Sequence, residues 1–373
     1  MIILIILSIL GIALTAVLLI DAVPCVLRWY ERIGIGSLSR ESATKSIRAV
    51  ATKWLIRTPS VPLKDETRLT VIDRIKGEYK SATLQSWQKA ALLLGVYESG
   101  DRQTANRFVD SLLNENKTFR SFVKSPDFAL LAYAVLYVSE DKASLKPAMD
   151  EVYVFLKELA KDSTVPYNAG IPDIRFVDTL GMVCPFLYMY AKAYNCDEAA
   201  AFAMRQLDEY KENAFNEKVN LPYHCINIKT GAPLGICGWG RGCGWYALAL
   251  SEMLRVSRDE KILSSAEEFM NSLMPFMLQS GGFSRQLLFD KTGESSATAM
   301  IGHLSSVLYT VTEKVAYKEC ADQCSEFIRM STRKNGKVDY AQGDTKGIGF
   351  YSKKADIMPA AQGFSLLLMA ETV

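Results

Sequence analysis

Excess charge of either sign, a disulfide framework and histidine are all scarce here, and each shortage narrows what the chain can do. The 373 residues carry 43 basic against 41 acidic side chains, a formal net charge of +2. That balance, with no run of like charges, leaves out the electrostatic footprint of a nucleic-acid binder; a neutral or sugar ligand fits better. No G-x-S-x-G, P-loop or dinucleotide fingerprint occurs, so serine-hydrolase, kinase and dehydrogenase readings have no foothold. No C-x-x-C pair is present. The eight cysteines (Cys25, Cys184, Cys196, Cys225, Cys237, Cys243, Cys320 and Cys324) sit partly inside apolar helical text. They read as small buried thiols in a reducing compartment.

One uncharged run is long. Ile2 to Ile20 holds only Ile, Leu, Ala, Val, Gly, Ser8 and Thr15, and its reach of roughly 28 Å approaches the hydrocarbon thickness of a bilayer. No Lys or Arg precedes it and Asp21-Ala22-Val23-Pro24 is a poor cleavage site. The expectation is an uncleaved membrane anchor over 1–23, followed by a juxtamembrane linker over 24–40; a signal peptide is the alternative. Pro24 ahead of Cys25 speaks against a lipid-modified cysteine. Arg28, Arg32 and Arg40 follow the run and favour a cytoplasmic body by the positive-inside rule, which a large translocated domain can override.

Beyond the anchor, residues 41–373 read as one all-α domain. Apolar residues recur at helical spacing in twelve segments: 41–57, 84–98, 101–115, 127–139, 144–160, 177–193, 196–212, 243–256, 259–277, 296–313, 316–332 and 356–371. Ser99-Gly100-Asp101, Asn195-Cys196-Asp197 and Ser257-Arg258-Asp259 are short joints, each with a candidate N-cap. Twelve helices in sequential hairpins suggest six pairs closed into an (α/α)6 barrel; the hairpins share no repeat motif that would favour a solenoid. Longer connections at 162–176, 214–242, 278–295 and 333–355 carry the unusual residues, and 58–83 has no clear pattern.

Two acids open apolar helices: Asp127 in Ser125-Pro126-Asp127 and Asp178 in Val177-Asp178-Thr179. Each could serve only the helix dipole, worth about 0.3–1 kcal/mol. Facing each other across a ring, they could instead divide acid and base work. Gly238 to Trp245 combines two tryptophans, Arg241 and four glycines. Aromatic faces stack on sugars and an arginine grips a carboxylate, although a glycine-rich turn with core tryptophans is the plainer reading. His224 invites a zinc reading with Cys225, Cys237 and Cys243, but the spacing fits no common signature; a structural or substrate-contacting histidine fits better. His303 reads as core or edge packing. Ser295 or Ser296 reads as a helix cap.

Taken in order, these pieces resemble the unsaturated glucuronyl and rhamnogalacturonyl hydrolases of glycoside hydrolase families 88 and 105. The likeness rests on Trp87 with Leu92 to Gly95, Pro126-Asp127, Val177-Asp178-Thr179, Tyr223-His224, the Trp239 to Trp245 block, Glu294-Ser295-Ser296 and Gln362-Gly363, and covers residues 45–373. The resemblance implies hydration of a 4,5-unsaturated terminal uronic acid, with a proton delivered to C4 and water added at C5. Asp178 would be the general acid/base and Asp127 its assistant; His224, Trp239, Arg241, Trp245, Trp87 and Ser296 would meet the sugar. It implies neither metal nor cofactor, and a uronic-acid-containing glycan as partner; the apolar run 2–20, outside the resemblance, adds a membrane as the second expected partner. Cys243 replaces the family's usual Asn or Gln, Gly240 its Ala, and Ser295-Ser296 its Thr-Ser. A non-catalytic carbohydrate-binding or scaffold protein at the membrane is the competing expectation.

Overall fold

The computed structural model describes residues 1–57, 59, 71, 85–345 and 347–372. The patternless stretch 58–83 therefore lies outside the described residues, apart from Pro59 and Val71. Thirteen α-helices are described: α1 (Ile2–Arg32), α2 (Arg40–Ile56), α3 (Ser86–Glu98), α4 (Arg102–Leu112), α5 (Asp127–Val138), α6 (Lys146–Leu159), α7 (Val177–Tyr194), α8 (Asp197–Ala214), α9 (Gly240–Val256), α10 (Glu260–Leu273), α11 (Ser295–Thr312), α12 (Val315–Met330) and α13 (Pro359–Glu371). All twelve helical segments expected after the anchor are present.

Side-chain chemistry sorts them into two layers. In α5 every residue but Tyr137 is buried, whereas α4 buries only Ala105 and Val109. A helix apolar all round belongs inside, and one with a single apolar stripe belongs outside. On that basis α3, α5, α7, α9, α11 and α13 form the inner ring, each packing on the next, with α13 closing back onto α3. The even-numbered helices α2 to α12 line the outside. The fold is an (α/α)6 barrel. Its closing seam is tight because Gly363 and Gly95 face each other's helices, and a methyl on Gly363 would strike the Ala91 backbone. Gln362 pins the seam, donating to the Ile47 and Gly336 carbonyls and accepting from the Val338 N–H at 2.9 Å.

The joints at the far end behave as their chemistry requires. Asp101 and Asp259 cap the following helices through their carboxylates, and Asn195 ends α7 in the left-handed region at φ 54°. At α11 the cap is Glu294 rather than a serine. Its carboxylate accepts from the Ser296 and Ala297 N–H groups, one oxygen to each.

Two further features depart from the sequence expectation. The N-terminal apolar helix does not give way to a linker at residue 24; it continues to Arg32. Arg28, Glu31 and Arg32 fall on one helical face and pair with Asp356, Arg333 and Asp339 of the body, so tertiary contacts extend the helix. Short strands also appear: β1 (Ile174–Phe176), β2 (Phe215–Asn216), β3 (Leu221–Asn227), β4 (Ala232–Cys237), β5 (Ala341–Gln342) and β6 (Ala355–Asp356). β3 is central, pairing with β1, β2 and β4, all antiparallel, while β5 pairs with β6. They are too short to show an alternating pattern in the text. All lie in connections that lead into the N-terminal ends of inner helices, so the long loops gather at one face of the ring.

Candidate active site

At that face a cavity of about 340 Å³ opens, lined by Trp87, Tyr167, Asp178, His224, Trp239, Arg241, Trp245 and Asp344 among others. Six of the eight residues singled out from the sequence are thus on one wall. Helix starts supply most of them: Trp87 from α3, Asp178 from α7, Arg241 and Trp245 from α9. An inner ring that points all its N-termini one way brings their partial positive ends to the same place.

Asp178 sits on the wall with its Oδ2 buried and without a hydrogen-bond partner among the described residues. His224 Nε2 lies 3.5 Å from it. A buried acceptor left open costs about 1–3 kcal/mol, and such a group commonly awaits a ligand. His224 is presented by a bulge in β3, where the register against β4 shifts between Tyr223 and Cys225. Its Nδ1 is 2.8 Å from the Tyr351 hydroxyl, which also accepts from the Ile236 N–H at 2.9 Å. The Tyr351 hydroxyl thus holds both the His224 ring and the β4 backbone. Burial and, to a smaller extent, the charge of Asp178 keep the Tyr351 phenol protonated.

Arg241 is buried, donating Nε to Ser296 Oγ at 3.0 Å and Nη2 to the Gln342 and Gly343 carbonyls. It also faces the Trp239 ring at 6.0 Å. Trp239 donates to Gln342 Oε1 at 2.9 Å, and the Gln342 N–H donates to Glu294 at 2.9 Å. Glu294 accepts from Ser296 Oγ as well. Ser296 therefore lies beneath the wall, holding Arg241, and is not on the cavity surface. Trp87 stands edge-on to Trp245 with ring centroids 5.5 Å apart.

Asp127 occupies the start of α5, buried, accepting from Ser125 Oγ. It is not one of the cavity's lining residues, but its charge reaches the site: burial first, then Asp178, Asp127 and Asp344, push the Tyr167 phenol well above its ordinary range. Asp344 on the wall is a second carboxylate that the sequence reading did not single out, and Tyr167, Tyr351 and Gln342 were missed with it. All four lie in the connections 162–176 and 333–355 noted for their composition, but nothing periodic marked the individual residues.

The cysteines near His224 are occupied otherwise. Cys225 Sγ donates to the Leu234 carbonyl and Cys237 Sγ to that of Leu221. Burial, with help from Asp178, pushes Cys225 up to about 12. All eight cysteines are free thiols, and among the described residues no group of three or more His, Cys, Asp or Glu could hold a metal.

Against known families, the profile described as Glycosyl Hydrolase Family 88 matches residues 72–373. The chain belongs to Glycosyl Hydrolase Family 88. It is a glycoside hydrolase, and α1 lies outside the match. No curated protein matches the chain by sequence. Among solved structures, a possible member of family GH105 from Klebsiella pneumoniae is 17% identical, covering 90% of this chain and 93% of that one at a TM-score of 0.71. An unsaturated glucuronyl hydrolase specific for heparin is also 17% identical, covering 90% and 97% at 0.64. A family GH76 α-mannanase from Bacteroides thetaiotaomicron, 14% identical over 92% and 98%, scores 0.59. At these identities the likeness is one of fold, and that fold carries more than one chemistry. Within family 88 the substrate must be argued from the wall of this cavity.

Proposed function

We propose that this family 88 enzyme hydrates the C4=C5 double bond of a terminal unsaturated uronic acid, releasing the neighbouring sugar. Asp178 delivers a proton to C4 while water adds at C5, and the resulting hemiketal opens. The proton given to C4 is recovered from the attacking water, so the carboxyl group is regenerated each cycle. The observation that carries the reading is the Asp178 carboxylate: on the cavity wall, with Oδ2 unpartnered and His224 Nε2 3.5 Å away. His224 steadies it. Trp87, Trp239 and Trp245 offer faces and edges to the sugar, Arg241 attracts its carboxylate, and Asp127 acts through the local field from one helix away.

General acid–base work contributes about 10²–10⁴-fold, so Asp178→Asn should lower the turnover of an unsaturated disaccharide by that factor while the protein stays folded. Screening unsaturated disaccharides by absorbance loss and product mass, on wild type and variant, is the test. Full activity in Asp178→Asn would end the assignment. Sugar binding that survives loss of both aspartates, with no turnover by the wild type, would instead favour the scaffold reading.

Among the described residues α1 is the one helix long and apolar enough to cross a membrane, and its apolar window is fully unburied. We read it as an uncleaved anchor. The face of the membrane follows from which side a protease added outside sealed vesicles or cells can reach.

A further inference from the structure

The three most exposed phenylalanines are Phe122, Phe289 and Phe350, each 75–81% exposed. They come from three different connections, 113–126, 274–294 and 331–358, and every one of those connections leads into the N-terminal end of an inner helix. All three therefore surround the cavity's face of the ring. Exposed basic residues accompany each: Arg120 and Lys124 near Phe122, Lys291 near Phe289 and Lys353 near Phe350. Among the described residues of the body, the other strongly exposed apolar side chains, Ile56, Val154, Val315 and Met330, are scattered over the outer helices α2, α6 and the two ends of α12.

The end of α1 belongs to the same face. Its ion pairs and hydrogen bonds reach Arg333, Lys337, Asp339, Ala355 and Asp356, all in the connection that also carries Phe350 and Tyr351. Asp21 accepts from the Val71 N–H in the connection between α2 and α3. The turn after α1 is pinned too, by Gly36 N–H on the Thr332 carbonyl and by Arg329 on the Gly36 and Leu38 carbonyls. Opposite the paired face, Val26, Leu27, Trp29 and Tyr30 stand more than half exposed. Tryptophan and tyrosine at the end of an apolar span mark headgroup level. From Ile20 to Arg32 the helix rises only about 18 Å, so the ring's cavity face stands close to the lipid.

We infer that the cavity-bearing face of the barrel rests on the bilayer, with Phe122, Phe289 and Phe350 dipping into the headgroup–acyl boundary. The substrate is then a uronate-ended glycan attached to that membrane, and not a freely diffusing fragment. The placement on the bilayer stands on the exposed aromatics and the pinned helix; the substrate class rests on the hydration reading above. Three aromatic wedges with neighbouring cations are what a monotopic surface uses, apolar area for depth and basic charge for anionic lipid. A glycan held in the same plane meets the cavity at high effective concentration.

The full chain in vesicles of phosphatidylcholine and phosphatidylglycerol gives two readouts. Phe122→Trp, Phe289→Trp and Phe350→Trp, each compared with the unsubstituted chain, should gain fluorescence that acyl-brominated lipid quenches. Val154→Trp on outer helix α6 should gain fluorescence that it does not quench. In parallel, an unsaturated disaccharide linked to a lipid should be turned over about tenfold or more faster than the free disaccharide at equal bulk concentration. The triple change of the three phenylalanines to Ser should erase that preference and leave the free disaccharide's rate unchanged. No quenching at the three positions overturns the placement, whatever the activity. Quenching with equal rates on both disaccharides overturns the membrane-attached substrate. Turnover of neither disaccharide strikes the hydration reading, and the placement is then decided by the quenching alone.

Discussion

Asp178 and His224 show what single residues could reveal in advance and what they could not. Both were recognisable in the text, as were Trp87, Trp239, Arg241 and Trp245, because each sits in a motif of unusual composition at the start of a helix or strand. The groups that position them were not recognisable. Tyr351, which holds the His224 ring through Nδ1, lies 127 residues away from it, in a loop with no periodicity. Tyr351→Phe would leave the Ile236 N–H and His224 Nδ1 without their partner. It should cost about 1–2 kcal/mol in transition-state binding, about tenfold in kcat/KM, and lower the melting temperature, since the orphaned Ile236 N–H costs stability as well. Steady-state kinetics beside a thermal melt would check this. Gly240 carries a different expectation. A methyl here would collide with the Ser284 carbonyl and press on Ala297, so Gly240→Ala should destabilise the fold by about 1–3 kcal/mol, read from the denaturation midpoint. That glycine belongs to this chain's own packing of α9 on the loop before α11.

Helices were the legible elements, because their apolar periodicity is a property of contiguous text. Strands β1 to β6 were not, being two to seven residues long and defined by partners elsewhere in the chain. Helix α11 adds a feature the text concealed. His303, which reads as ordinary packing, is buried between Glu252 of α9, 2.5 Å from Nε2, and Glu371 of α13, 2.7 Å from Nδ1. Tyr133 of α5 donates to the same Glu252, and Arg255 pairs with both Glu252 and Glu98. The cluster joins five inner helices, α3, α5, α9, α11 and α13, away from the cavity face. Burial opposes the His303 imidazolium, yet Glu371 and Glu252 outweigh it and lift it to about 9. Burial likewise opposes the Glu252 carboxylate, but Arg255 and His303 bring it down to about 2. A raised histidine contributes stability that is full below its unfolded value near 6.5 and fades as pH rises through about 9. A depressed carboxyl contributes stability present above about 4.5 and lost as pH falls towards 2. Melting temperature should therefore decline between pH 6.5 and 9, and Glu252→Gln should flatten that decline while lowering stability by about 3–5 kcal/mol. An unchanged slope in the variant would remove the cluster as its source.

For the whole molecule, ring closure and the gathering of long loops at one end followed from counting hairpins, since alternating inner and outer helices leave every inner N-terminus at the same face. The tethering of α1 did not follow. A charge pattern of Arg28, Glu31 and Arg32 looks like a solvated linker until Asp339, Asp356 and Arg333 are brought alongside by the fold. The central claim concerns chemistry at the cavity, and one stoichiometry decides it. The wild-type enzyme is mixed with an unsaturated disaccharide, and the absorbance of the double bond is followed together with the mass of the sugar released. Hydration predicts one double bond lost for each sugar freed. Sugar released with the absorbance retained would mean ordinary attack at the glycosidic carbon and would contradict the account.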